Sequence, residues 1–492
     1  LIVKTMAKSK YLLLEIGTEE IPSEFLPGAI SDLGILGRQV LEEARLDFGK
    51  LRTLGTPRRL VLFVKALQET QRPLSRQIVG PSAKVAFDSE GKPTPAALGF
   101  ARAQGIPWES LIVKTLERGE YVVAIIEEAG LPTSEILPSL LPKIIASLPL
   151  KKSMRWGDGN LRFLRPIRWL LALYGSQVIP FEMDGIASGD RTYGHRFLSP
   201  RSVRVRSFPD YVAKLKRKFV IVEPESRQQM IREAANAEAS KVGGAVEWDE
   251  ELLLTVAHLV EYPVVFCGHF QEEFLQLPKE VITTPMKKHQ RYFPVVNERK
   301  ELLPFFVAIS NMKAEDLSPI RAGNERVLSA RLADAQFFYR EDRKVSLEAR
   351  VPQLKHIIYQ EQLGSLYDKT ERIARLSGYL ADKISPKSKE LAIRAAHLAK
   401  ADLLTSMVKE FPNLQGTMGR IYSRQDGEQT EAATAIEEHY LPRFAGDLLP
   451  RTLLGAILSI ADKIDSIAGC FAIALIPTGS EDPYALRRQG TG

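Results

Sequence analysis

Residues 322–340 read Ala322-Gly-Asn-Glu-Arg-Val-Leu-Ser-Ala-Arg-Leu-Ala-Asp-Ala-Gln-Phe-Phe-Tyr-Arg340, with Val327, Leu328, Leu332 and Phe338 at helical spacing. This stretch divides the chain. Beyond it the apolar pattern stays helical as far as Leu475, broken near Pro386, Pro412 to Gly416, Pro442 and Pro450, where proline ends a helix by lacking an N–H. Before it, strand-like runs at Tyr11 to Ile16, Leu60 to Val64, Tyr121 to Ile126, Ile167 to Leu173, Val178 to Phe181, Pro263 to Phe266 and Phe305 to Ser310 alternate irregularly with helical stretches. Helices are expected over Pro22 to Asp47, over Pro138 to Leu148 with Pro138 near the start, and through much of Asp210 to Glu261. The expected fold is multidomain α+β: a mixed α+β amino-terminal half followed by an all-helical block. The expected divisions are 1–205, 206–345 and 346–488.

The 492 residues are 45% hydrophobic and 26% charged, which is ordinary globular composition and excludes wholesale disorder. Cys267 and Cys470 are the two cysteines, too few for a disulfide framework, so a reducing compartment is expected. Leu12 to Leu14 are cut short by Glu15, too soon for a signal-peptide core. Asp462, Lys463 and Asp465 interrupt the apolar stretch from Thr452 to Ile476, which reads as a buried helix pair rather than a membrane span. Met6 is the expected native start.

Charge is unevenly placed. Residues 151–232 hold seventeen basic and seven acidic side chains, a local +10 in a chain of net +7. Lys151, Lys152 and Arg155 begin a segment in which cations alternate with Trp156, Phe163 and Trp169. Guanidinium and ammonium groups pair with phosphate while flat rings stack on unpaired bases; a solvated cationic face over core aromatics is the alternative. Arg204 and Arg206 then alternate as on a strand edge, and Lys214, Lys216, Arg217 and Lys218 cluster at a helix end. Thr283 to Phe293 places Lys287, Lys288, His289, Gln290 and Arg291 in a turn before a strand, with Tyr292 and Phe293 as anchors. Thirteen positions, namely Lys151, Lys152, Arg155, Arg204, Arg206, Lys214, Lys216, Arg217 and Lys218 with Lys287, Lys288, Gln290 and Arg291, are the candidate nucleic-acid contacts.

Catalytic motifs are sparse. No phosphate-binding glycine loop and no serine nucleophile elbow occurs. Lys151 to Arg155 is similar to the ATP-side lysine loop of class I aminoacyl-tRNA synthetases, without the companion His-x-Gly-His. Glu15, Glu19 and Glu20 are read as turn and helix-start residues. His397, Asp402, His439 and Asp462 suggest a metal-dependent HD-type phosphohydrolase acting on nucleotides, but Ala401 stands where the paired His should precede Asp402. A helical HD-like block without that chemistry is the preferred reading, with no catalytic or metal-binding residue assigned.

Leu12-Leu-Leu-Glu-Ile-Gly-Thr-Glu-Glu-Ile-Pro22, Thr56-Pro-Arg-Arg-Leu60, Lys152-Ser-Met-Arg-Trp-Gly157, His195-Arg-Phe-Leu198 and His289-Gln-Arg-Tyr-Phe293 form an ordered set. Asn324 to Phe338, Lys400-Ala-Asp-Leu403, Glu410 to Gly419 and Glu438 to Phe444 continue it. Together they resemble the beta subunit of the heterotetrameric bacterial glycyl-tRNA synthetase. The resemblance implies a tRNA-recognising subunit required with a separate alpha subunit (an alpha2beta2 assembly) for ATP-dependent attachment of glycine to tRNA(Gly). It places ATP and Mg on the alpha subunit, with no cofactor on this chain and no membrane association, in the cytoplasm. It also implies an HD-like helical domain and a carboxy-terminal anticodon-binding domain, which Asp482 to Arg488 would begin and which is otherwise absent here.

Overall fold

The computed structural model describes residues 9–117, 119–478 and 481–491; the expected start at Met6 lies outside them. The chain forms two compact units: residues 1–233 with 253–264 and 310–313, and residues 234–252 with 265–309 and 314–492.

The first unit is built on a sheet in the order Glu182–Met183, Ile186–Gly189, Ile167–Tyr174, Ser9–Thr18, Arg59–Gln68, Leu51–Thr56. Ser9–Thr18 is central and antiparallel to both neighbours, with Glu15 opposite Val61 on one side and Leu171 on the other. Both faces are covered. Leu12, Leu14, Leu60 and Leu62 pack with the helices Leu26–Glu43 and Thr133–Ala146, while Leu13, Val61, Leu171 and Leu173 pack with Tyr211 and Leu215 of the helix Phe208–Arg217. A strand covered on both faces reads as a continuous apolar run, as Leu12 to Leu14 does. A separate three-stranded sheet, Leu74–Ser82, Gly119–Glu128 and Ile112–Leu116, carries the helix Pro95–Ala103, with Pro95 in its first turn.

The second unit combines a four-stranded sheet, in the order Ala245–Val246, Phe293–Val296, Leu302–Ser310, Val264–His269, with a helical array. The helix read from 322–340 runs from Ser318 to Asp342 and buries Leu328, Leu332 and Ala335. Val327 stays exposed, so the buried stripe is narrower than the apolar pattern.

Four local expectations are corrected. Pro138 lies inside Thr133–Ala146, with Pro142 one turn later, not at its start. The 452–476 stretch is one helix, Leu453–Ala472, capped by the Thr452 hydroxyl accepting from the Gly455 N–H. Residues 285–290 are a π-helical turn rather than an irregular one, continuing the helix Lys279–Thr284 and closing at Arg291 with φ 60°. The helical block also contains a small hairpin, Ile358–Gln360 with Gly364–Ser365.

Candidate functional site

The basic residues of 151–232 separate into surface and core. Lys151, Lys152 and Arg155 are exposed, Lys152 with its ammonium 5.5 Å from the Phe25 ring centroid. Arg155 stands opposite Arg162 in a short antiparallel ladder of two residues per strand. Arg204 and Lys214 are tied to acids: Arg204 Nε donates to Asp190 Oδ2 at 2.5 Å, and Lys214 Nζ to both Asp210 Oδ2 and the Arg204 carbonyl. Arg206 gives Asp210 Oδ2 its main-chain N–H, and its side chain is exposed. Lys216 and Arg217 are exposed at the end of the Phe208–Arg217 helix, where the unpaired carbonyls favour cations. Lys218, half-buried, accepts the His195 N–H on its carbonyl.

Other cations of this run are buried or already paired. Arg227 is fully buried and donates to the carbonyls of Ala257, Ile221 and Gly55; burial pushes its pKa down to about 10. Arg196 is tied to Glu19 and Glu20. Two of the three rings read as base-stacking candidates are spent, since Phe163 and Trp169 are buried; Trp156 is half-buried, with Nε1 donating to the Phe163 carbonyl. A ring that fills a core has no free face to offer a base.

Glu15 is a correction. It is neither a turn nor a helix-start residue but a fully buried strand carboxylate, accepting from Trp169 Nε1 at 2.6 Å and Thr192 Oγ1 at 2.8 Å. Gly17 permits this: a Cβ there would lie 1.9 Å from the Trp169 ring. Arg59 bridges Glu15 and Glu261, all three buried. Burial opposes its charge, but the two carboxylates outweigh burial and raise its pKa. Glu19 and Glu20, by contrast, form surface ion pairs.

In the second unit, the π-helical turn exposes Lys288, His289 and Arg291, while Tyr292 and Phe293 are buried. Gln290 is partly exposed. Lys287 is half-buried, 3.6 Å from Glu247 and 3.9 Å from Asp249, so part of its charge is neutralised in place.

The four HD-type candidates do not converge on one ligand set, and no group of three or more potential metal ligands occurs among the described residues. His397 pairs with Glu371. Asp402 Oδ2 accepts the N–H groups of Gly416 and Gly419 at the start of the helix Thr417–Gln425, and burial raises its pKa to about 6. His439 and Asp462 do meet, but around Lys400: its Nζ lies 2.8 Å from His439 Nε2 and 2.7 Å from Asp462 Oδ2. His439 Nδ1, 2.6 Å from the Ile436 carbonyl, carries the proton, leaving Nε2 to accept from Lys400. Burial, then Lys400, pushes the His439 pKa far down, so the imidazole is neutral. Burial alone would raise the Asp462 pKa, but Lys400 and Lys369 hold it well below the carboxylate range. A lysine ammonium thus holds the position between histidine and aspartate that a metal-dependent hydrolase would give its ion. Neither Lys400 nor Lys369 was singled out for chemistry from sequence. The signal was Lys400-Ala-Asp402 itself, where a lysine precedes the missing histidine.

A family described as "Glycyl-tRNA synthetase beta subunit" matches residues 12–492. Among curated relatives, the glycine–tRNA ligase beta subunit of Moorella thermoacetica is 50% identical over 483 residues, covering 98% of this chain and 70% of the relative. Those of Trichlorobacter lovleyi and Desulforamulus reducens are 49% and 48% identical over the same shares of each chain.

Proposed function

The chain belongs to the glycyl-tRNA synthetase beta-subunit family, and from that premise we propose that it is the tRNA-recognising half of a ligase completed by a separate alpha subunit. Membership makes it an aminoacyl-tRNA synthetase subunit, a ligase component of protein biosynthesis that works with tRNA and a partner subunit, and not a phosphohydrolase. The observation that carries this is the continuous match from residue 12 to 492.

Glycine is activated with ATP and Mg on the alpha subunit, in an alpha2beta2 assembly in the cytoplasm, and this chain holds tRNA(Gly) for transfer. Lys151, Lys152, Arg155, Arg206, Lys216, Arg217, Lys288 and Arg291 supply phosphate contacts, because exposed cations without internal carboxylate partners release counterions on binding. Arg204, Lys214 and Lys218 position the contacts of the first unit, and Lys287 and Gln290 those of the second. No described helix is long and apolar enough to cross a membrane.

The test is glycylation of tRNA(Gly) by purified alpha subunit with and without this chain. Charging that needs both chains, with adenylate formation retained on the alpha subunit alone, is the expected result. Charging by the alpha subunit alone at the full rate would overturn it.

A further inference from the structure

The Lys400 cluster forms one wall of a cavity of about 550 Å³ inside the helical unit, within the size range of small-ligand sites. Its lining holds five cationic side chains, Lys369, Lys400, Arg443, Lys463 and Arg488, against one carboxylate, Asp462. That carboxylate is already engaged. Lys400 donates to Oδ2 at 2.7 Å, and Lys369 lies 2.9 Å from Oδ1 in an ion pair whose angle makes no hydrogen bond. Lys369 also pairs with Asp465.

Three cations are left over. Among the described residues Lys463 Nζ donates to neutral oxygens alone, the Leu441 carbonyl at 2.7 Å and the Ser459 hydroxyl at 2.5 Å. Arg443 and Arg488 are exposed at the cavity and form no ion pair among the described residues. Burial lowers the pKa of both Lys400 and Lys463, the mark of positive charge held where water solvates it poorly. Cations converging on a concave, partly dry surface focus positive potential into it. Two guanidinium forks and an ammonium suit phosphate oxygens in particular. Flat surfaces stand beside them: Tyr440 lies under Lys400 at 4.3 Å, and Tyr359 meets Tyr484 edge-on at 6.0 Å.

We propose that this cavity binds a phosphate monoester of mononucleotide size, its phosphate on Arg443, Arg488 and Lys463 and its ring along Tyr359 and Tyr484. It is a binding site without turnover, since Lys400 fills the position between His439 and Asp462. The site lies within the helical unit and does not depend on the tRNA contacts assigned above.

Calorimetric titration of the full chain with AMP, adenosine and inorganic phosphate tests it. AMP is expected to saturate one site at least tenfold more tightly than adenosine. The double variant Arg443→Ala, Arg488→Ala, exposed at both positions and checked for an unchanged Tm, should weaken AMP at least tenfold. Affinity for tRNA should be unaltered in that variant. Equal binding of AMP and adenosine, unaltered AMP binding by the double variant, or no saturable AMP binding would each overturn the proposal. Loss of tRNA affinity in the variant with no AMP binding by the parent would instead assign the three cations to a phosphate of the tRNA backbone, and would also overturn it. Failure of AMP binding would leave glycylation by the two-subunit enzyme untouched, so the two readings fail separately.

Discussion

Arg59 Nη2 lies 3.1 Å from Glu261 Oε1 across 202 residues of sequence, and neither side chain reaches solvent. The same guanidinium approaches Glu15 Oε1 at 3.4 Å and donates to Thr192 Oγ1 and the Tyr193 carbonyl. Thr56 Oγ1 donates to Glu261 Oε1 at 2.6 Å, joining a second strand to the cluster.

Removing one partner from such a cluster leaves an uncompensated buried charge. Arg59→Met should therefore destabilise the chain by about 3–5 kcal/mol. Urea denaturation followed by circular dichroism measures this; a loss below about 1 kcal/mol, the scale of a surface pair, would show that the buried network contributes little.

Arg227 donates to three backbone carbonyls from a fully buried guanidinium. Arg227→Lys keeps the charge but not the fork, so it should fail to rescue the stability lost in Arg227→Met. Each carbonyl left unpaired costs about 1–3 kcal/mol. Thermal melts of the two variants side by side give the comparison, and near-wild-type stability of the lysine variant would contradict it.

His258 is buried, and burial followed by the nearby Arg227 charge pushes its pKa from 6.5 down to about 4. The unfolded chain then binds a proton between these values while the folded chain does not. The stability contributed by neutral His258 is present above pH 6.5 and is lost as pH falls from about 6.5 to about 4. Proton NMR titration of the His258 ring should show no protonation at pH 5.5; a midpoint near 6.5 would refute the assignment.

On the proposed tRNA surface, exposure separates neighbours on one helix. Lys216→Glu with Arg217→Glu should lower tRNA affinity and flatten the log-affinity against log-salt slope by nearly two, at roughly 0.9 per phosphate contact. Lys214→Ala should leave that slope unchanged and reduce stability slightly, because its ammonium is held by Asp210 and the Arg204 carbonyl. Filter binding over a salt series distinguishes these outcomes, and equal slopes for both variants would remove the helix end from the interface.

In the 283–293 turn, Lys288→Ala with Arg291→Ala should depress glycylation by the two-subunit enzyme more than adenylate formation. Both side chains are exposed, so folding is spared. Equal loss in the two half-reactions, measured by pyrophosphate exchange and by charging, would point to damaged assembly instead.

The helix Ser318–Asp342, the central strand Ser9–Thr18 and the helix Phe208–Arg217 were legible because their patterns are local. Apolar spacing along a few turns or a few residues reports which face is buried without knowing what buries it. The ordered family motifs were legible for the same reason, being read along the chain.

Which charges remain at the surface was not legible. Arg217 and Arg227 stand ten residues apart in one basic run, yet one is exposed and the other is closed in by Gly55, Ile221 and Ala257. Glu15 looked like its neighbours Glu19 and Glu20 until Trp169, Thr192 and Arg59 closed over it. Lys400, His439 and Asp462 likewise meet only when three separate segments pack together. The amino-acid sequence by itself determined the family, the α+β-then-helical order and the location of the basic run. Tertiary structure alone decided which cations face water, which are buried counter-ions, and that an ammonium stands between His439 and Asp462, because desolvation and pairing depend on partners distant in sequence.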